Sequence, residues 1–159
     1  MTVIAGLPAH VLFVHFIVVL APLTALLEIL CAVWPAARRR LVWLVLALAV
    51  VTMVLTPLTT HAGEWLKHRE AHPSPLLQLH AERGDWMIYF SIGLLVVAVA
   101  LAILQRLEGR LEKRRFATNL AVAIVALAVG ISSIVGVIQI GDSGAQAVWH
   151  NELSQSTEH

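Results

Sequence analysis

The groups in this chain best suited to chemistry are its eight histidines, His10, His15, His61, His68, His72, His80, His150 and His159. Imidazole is the commonest protein metal ligand and the one side chain that titrates near neutral pH. His80 is followed by Glu82 and Asp85, and a histidine with carboxylates nearby suits a divalent metal or an oriented imidazole. Nitrogen and oxygen donors without thiolate favour copper(II), zinc, iron or nickel over copper(I). Cys31 is the only cysteine, which removes an internal disulfide, a thiolate zinc cage and a covalent c-type haem motif. The chain carries no nucleophile triad, phosphate loop or dinucleotide fingerprint, so soluble-enzyme chemistry is not expected.

The elements that must position these groups are membrane spans. Of 159 residues 58% are hydrophobic and 13% charged, and the mean hydropathy is +0.80. A soluble domain of this size has too little volume to bury so much apolar surface. A hydrocarbon core of about 30 Å needs about 20 apolar residues in a helix. Four runs meet that need, at 11–34, 41–60, 86–104 and 117–140. They lack the alternation of barrel strands. The expected fold is all-α, a polytopic membrane four-helix bundle forming one domain over 1–159, with a tail at 141–159. Met1 to Trp34 makes a poor signal peptide, with no Lys or Arg before the apolar stretch, and is expected to be retained as the first span.

Basic residues set the expected orientation. The first and third loops hold Arg38, Arg39, Arg40, Arg106, Arg110, Lys113, Arg114 and Arg115, whereas the second holds Lys67, Arg69 and Arg83 and the tails none. The positive-inside rule then makes loops one and three cytoplasmic and puts both termini outside the cell (inner) membrane. All eight histidines fall on the outer side. A net charge of +1 gives no case for nucleic acid as a partner.

His10 and His15 are about 140° apart around a helix, so they do not share a face. Thr52, Thr56, Thr59, Thr60 and Gly63 form one polar stripe on the second span, expected to face the bundle interior. Glu64 sits at its edge and His61 on the far side. His61, His68 and His72 are expected in a solvated outer loop ended by Pro73 and Pro75. Glu28 is the only formal charge well inside a span. Exposed to lipid it would cost several kcal/mol, so it is expected to be protonated, paired or interior. Ala126 with Gly130 and Ser132 with Gly136 are small pairs four apart, suited to close helix packing. Pro22 and Pro57 each free a carbonyl and bend a helix.

A weak internal symmetry runs through the chain. Each half reads outer histidine (His10, His80), span, basic loop, span, then glycine beside an acid (Gly63-Glu64, Gly141-Asp142). Two such hairpins related by an axis along the membrane normal would gather His10, Glu64, His80 and Asp142 at the outer surface.

Several motifs resemble those of the DUF2231 family of predicted membrane proteins. They are Gly6-Leu-Pro8-Ala-His10 with Val14-His15-Phe16, Ala62-Gly63-Glu64-Trp-Leu66, His80-Ala81-Glu82-Arg-Gly84-Asp85, and Ile140-Gly141-Asp142-Ser143-Gly144-Ala145 with Val148-Trp149. In order they span nearly the whole chain. Val11 departs from the family's pattern, in which proline is expected after the first histidine. The resemblance implies no settled activity. Related domains occur beside iron–sulfur or cytochrome modules, which implies a redox context by association; any iron–sulfur cluster would belong to a partner.

Three functions compete at this point. In the first, a cofactor sits at the outer end: haem b on His15 and His80, or a non-haem transition metal on His10, His15, Glu64, His80 and Asp142. In the second, the chain is an accessory or assembly subunit docking a redox partner protein or a second copy of itself. In the third, the histidines form an outer-side pH sensor.

Overall fold

The computed structural model describes residues 3–4, 7–67, 74–107 and 115–156. After a two-residue antiparallel ladder, β1 (Val3–Ile4) with β2 (Leu7–Pro8), every element is helical: α1 (Ala9–Val33), α2 (Pro35–Lys67), α3 (Pro75–Asp85), α4 (Met87–Leu107) and α5 (Arg115–Ser156). Four stretches are long and apolar enough to cross a membrane, Leu12–Val33, Pro35–Trp65, Pro75–Leu107 and Phe116–Gln146. α1 and α4 each pack against both α2 and α5, and α3 lies along α5.

The helices run further than the apolar runs alone indicate. No loop separates α1 from α2: Trp34 donates its N–H to Leu30 and accepts from Arg38, and Pro35 begins the next helix. Proline disfavours helical backbone in the residue before it and suits a first helical position, so one dipeptide both ends α1 and starts α2. Arg38, Arg39 and Arg40 therefore lie within α2 rather than in a loop. The expected outer loop likewise contains a helix. Ser74 caps α3, its Oγ accepting the N–H of Leu77 at 3.2 Å, with Pro75 in the first turn. At 33 and 42 residues, α2 and α5 are roughly 50 and 63 Å long. Both exceed the hydrocarbon core. His68, Arg69 and His72 lie outside the described residues, as do Arg110, Lys113, Arg114 and His159.

The core is two apolar clusters with a layer of buried polar side chains running from the histidine-end cluster toward the other. Ile17, Ala21, Ala25, Met87, Leu94 and Val137 fill the histidine end. Cys31, Val42, Val45, Ala49, Leu101 and Ala126 belong to the cluster at the arginine end. Thr24, Glu28, Thr52, Thr56, Ser91 and Ser133 are all fully buried. Ser132 is exposed, so Ser133 rather than Ser132 joins Ala126 and Gly130 on the packed face of α5.

The buried positions of the two halves are in register. Buried positions pair at one constant offset between α1 and α3–α4: Ile17 with Met87, Ala21 with Ser91, Thr24 with Leu94, Glu28 with Ala98, Cys31 with Leu101. Between α2 and α5 the offset is 81, seen directly where Arg38 bonds Asn119. It aligns Val45 with Ala126, Thr52 with Ser133 and Thr56 with Val137.

Candidate functional site

At the histidine end, a mostly apolar cavity of about 150 Å³ opens between the halves. His10, Val14, Ile17, Thr56, Thr59 and Gly63 line it from one half; His80, Gly84, Met87, Val137 and Ile140 from the other. Each imidazole is held by the same two devices. The Nδ1–H of His10 donates to the Thr59 carbonyl at 3.0 Å, and that of His80 to the Ile140 carbonyl at 3.1 Å. A carbonyl can only accept, so Nδ1 carries the proton and, in the neutral ring, Nε2 keeps the lone pair. Each ring also lies against a glycine one turn beyond its carbonyl. A Cβ on Gly63 would stand 2.8 Å from His10 Cε1, and one on Gly144 would stand 2.9 Å from His80 Cε1. Only glycine leaves room for a ring this close to a helix backbone. The second half adds a hydroxyl: Ser143 Oγ lies 3.3 Å from His80 Nδ1 and donates to Ile140 O at 2.9 Å.

This geometry corrects the register of the repeat. The counterpart of Gly63 is Gly144, not Gly141, which has nothing within 4 Å of its would-be Cβ. A slip of three residues turns a helix by about 60° and moves it about 4.5 Å. Glu64 and Asp142 are accordingly not equivalents and do not meet. Glu64 reaches the cavity wall but is 61% exposed, 4.0 Å from His61, itself 89% exposed. Asp142 is exposed on α5 and is not part of the cavity wall. His15 lies on the exposed side of α1 and also does not line the cavity. The structure therefore joins His80 to His10 rather than to His15. Asp85 lines the cavity and Glu82 is exposed. His150 lies in α5. Among the described residues no three His, Cys, Asp or Glu side chains form a group that could hold a metal ion, so the five-residue set His10, His15, Glu64, His80 and Asp142 does not assemble.

Three residues take structural roles that sequence alone does not announce. Ser143 and Gly144 sit on the side of α5 that meets His80, about one turn of helix along from Ile140, and only the repeat register shows it. Arg38, counted as a solvated loop residue, is fully buried at the arginine end. Its guanidinium reaches the Cys31 carbonyl at 3.5 Å and Asn119 Oδ1 at 3.3 Å. The last carbonyls of α1 have no partners within their helix and carry its negative pole, which favours a cation there. Nearby, the Arg106 guanidinium stacks 4.9 Å from the centre of the exposed Trp43 ring.

Four apolar helices enclosing a polar layer and a paired-histidine cavity define a class of small polytopic membrane proteins. Within that class, the family described as "Predicted membrane protein (DUF2231)" matches residues 6–157, and the chain belongs to it. No curated protein and no solved structure matches the chain.

Proposed function

We propose that this integral membrane protein binds one transition-metal centre through His10 and His80. The observation that carries the proposal is the pair of Nδ1–H bonds to backbone carbonyls. Metal-ligating histidines characteristically donate the second ring nitrogen in this way, which fixes the tautomer and raises ligand basicity. Two imidazoles lining one cavity, each with Nε2 left over from the carbonyl bond, suit zinc, copper or iron. The cavity, about 150 Å³, is well below the roughly 300–1,000 Å³ of pockets for larger ligands. It fits an ion with water better than a haem. Copper or iron at this place would serve electron transfer with a membrane redox partner. Positive-inside bias supports a cytoplasmic arginine end and a histidine end, with both termini, outside the inner membrane.

Elemental analysis of detergent-purified protein, with oxidised and reduced optical spectra, tests the proposal. The expected result is a stoichiometric metal, lost by at least about tenfold in His10→Phe and in His80→Phe and kept in His15→Phe. A Soret band lost in the same two variants would make that metal haem iron. Metal-free protein from replete cells, or equal metal content in all three variants, overturns it.

A further inference from the structure

Below the cavity, Glu28 is fully buried and neither of its carboxyl oxygens has a hydrogen-bond partner. The buried hydroxyls of the interior each donate to a carbonyl of their own helix. Thr24 donates to Leu20 O at 2.7 Å, Thr52 to Leu48 O at 2.9 Å, Ser91 to Met87 O at 3.0 Å and Ser133 to Val129 O at 2.8 Å. Packing therefore accounts for the hydroxyls and not for the acid. At the equivalent position of the other half the buried residue is Ala98, so the fold does not require a carboxyl there. A carboxyl taken out of water without a compensating hydrogen bond costs several kcal/mol, and far more when ionised.

The surroundings of Glu28 point one way. Side chains on a helix lean toward its N-terminus, and α1 begins at the histidine end. Glu28 thus leans toward Thr24 and the hydroxyl layer. Arg38 leans the other way, to the Cys31 carbonyl and Asn119. Thr56 Oγ1 meets Ser91 Oγ at 2.7 Å, joining α2 to α4, and Thr56 also lines the histidine cavity. Thr52 lies one turn below Thr56, and Thr24 one turn above Glu28. The ionisable groups facing this level are Cys31 from α1 and Arg38 from α2; α4 and α5 bring none to it.

We propose that Glu28 is an exchangeable proton site, reached from the histidine cavity through the Thr56–Ser91 hydroxyl pair. In one exchange the carboxyl O–H gives its proton to a water or hydroxyl in the layer. Each group passes its own proton on toward the cavity, and a proton from cavity water returns to the carboxylate by the same route. One proton leaves, one arrives, and no electron moves. The route needs no metal, so it stands or falls separately from the His10–His80 site.

Infrared spectra of the metal-free protein after transfer to D2O test it. A protonated-carboxyl C=O band is expected in the parent protein, absent in Glu28→Gln and displaced in Glu28→Asp, the second variant covering a failure of the first to fold. Its deuterium shift should be slowed more than about tenfold in Thr56→Val and in Ser91→Ala, and unchanged in Ser133→Ala. Absence of any Glu28 band, or an exchange rate indifferent to Thr56→Val and Ser91→Ala, overturns the proposal.

Discussion

The hairpin α1–α2 and its counterpart in α3, α4 and α5 share a skeleton but not a lining. At the histidine end they agree closely: His10 on Gly63 and the Thr59 carbonyl, His80 on Gly144 and the Ile140 carbonyl. Toward the middle they part. Glu28 is matched by Ala98 in the repeat, Thr24 by Leu94, Thr56 by Val137 and Ala21 by Ser91. Imidazole seating is thus present twice, whereas the acid occurs once. What occurs twice is what a two-ligand site needs. What occurs once is not a packing requirement, because alanine fills the same place in the other half.

At the arginine end the repeat meets itself, since Arg38 and Asn119 are counterparts that bond one another across the interface of the halves. This gives the test with the largest expected effect. Arg38→Asn removes a buried guanidinium and its bonds to Asn119 and Cys31 O. Hydrogen bonds involving a charged group contribute about 1.5–3 kcal/mol each, so a loss of about 3 kcal/mol is expected in detergent unfolding. If the two positions are equivalent, the exchange Arg38→Asn with Asn119→Arg should recover more than half of it. A double variant as unstable as the two single losses added together would break the equivalence at this end.

Much of this was legible in the sequence, and the rest failed for definable reasons. Hydropathy gives depth, so four spans and a buried Glu28 follow from it. The threonine stripe of α2 gives azimuth, and the structure buries Thr52, Thr56 and Thr59 as that stripe requires. For α1 the azimuth is also present in the sequence. His10, Val14, Ile17, Ala21, Thr24, Glu28 and Cys31 repeat at spacings of four and three. His10 and Glu28 therefore share a face, five turns of helix apart, and His15 is turned away. The α3 helix is hidden because Pro73 and Pro75 suggest the end of a loop, whereas Ser74 caps a helix with Pro75 in its first turn. Arg38 was misplaced because basic residues flanking a span normally indicate a solvated loop, and nothing local announces Asn119 as a partner. The repeat register slipped because two glycines, Gly141 and Gly144, compete in α5, and only contact with His80 separates them.

That competition makes the next test. Gly63→Ala and Gly144→Ala each put a Cβ within 3 Å of an imidazole carbon. Overpacking of this kind costs roughly 1–3 kcal/mol, and displacing the ring also breaks its Nδ1 bond. About 2 kcal/mol of stability and most of the bound metal should be lost in both. Gly141→Ala meets open space and should be neutral or stabilising by up to about 1 kcal/mol, since alanine is the better helix former. Melting temperatures of the three variants measure this, and a harmful Gly141→Ala beside a harmless Gly144→Ala would restore the other register.

The smallest effect separates the two seats themselves. Ser143 supplies His80 with an oxygen at 3.3 Å, while the corresponding residue beside His10 is Ala62. The Ile140 carbonyl already accepts from Nδ1 at 3.1 Å, so the hydroxyl is an addition rather than the anchor. Ser143→Ala should cost about 1 kcal/mol or less and leave His80 in the Nδ1–H tautomer, as read from its ring-nitrogen chemical shifts. Ala62→Ser should bring the first seat toward the second, with a gain of similar size. A Ser143→Ala variant that frees His80 as completely as Gly144→Ala would mean that the hydroxyl, not the carbonyl, holds the ring. The two histidines would then be held by different means, and their likeness would be one of position alone.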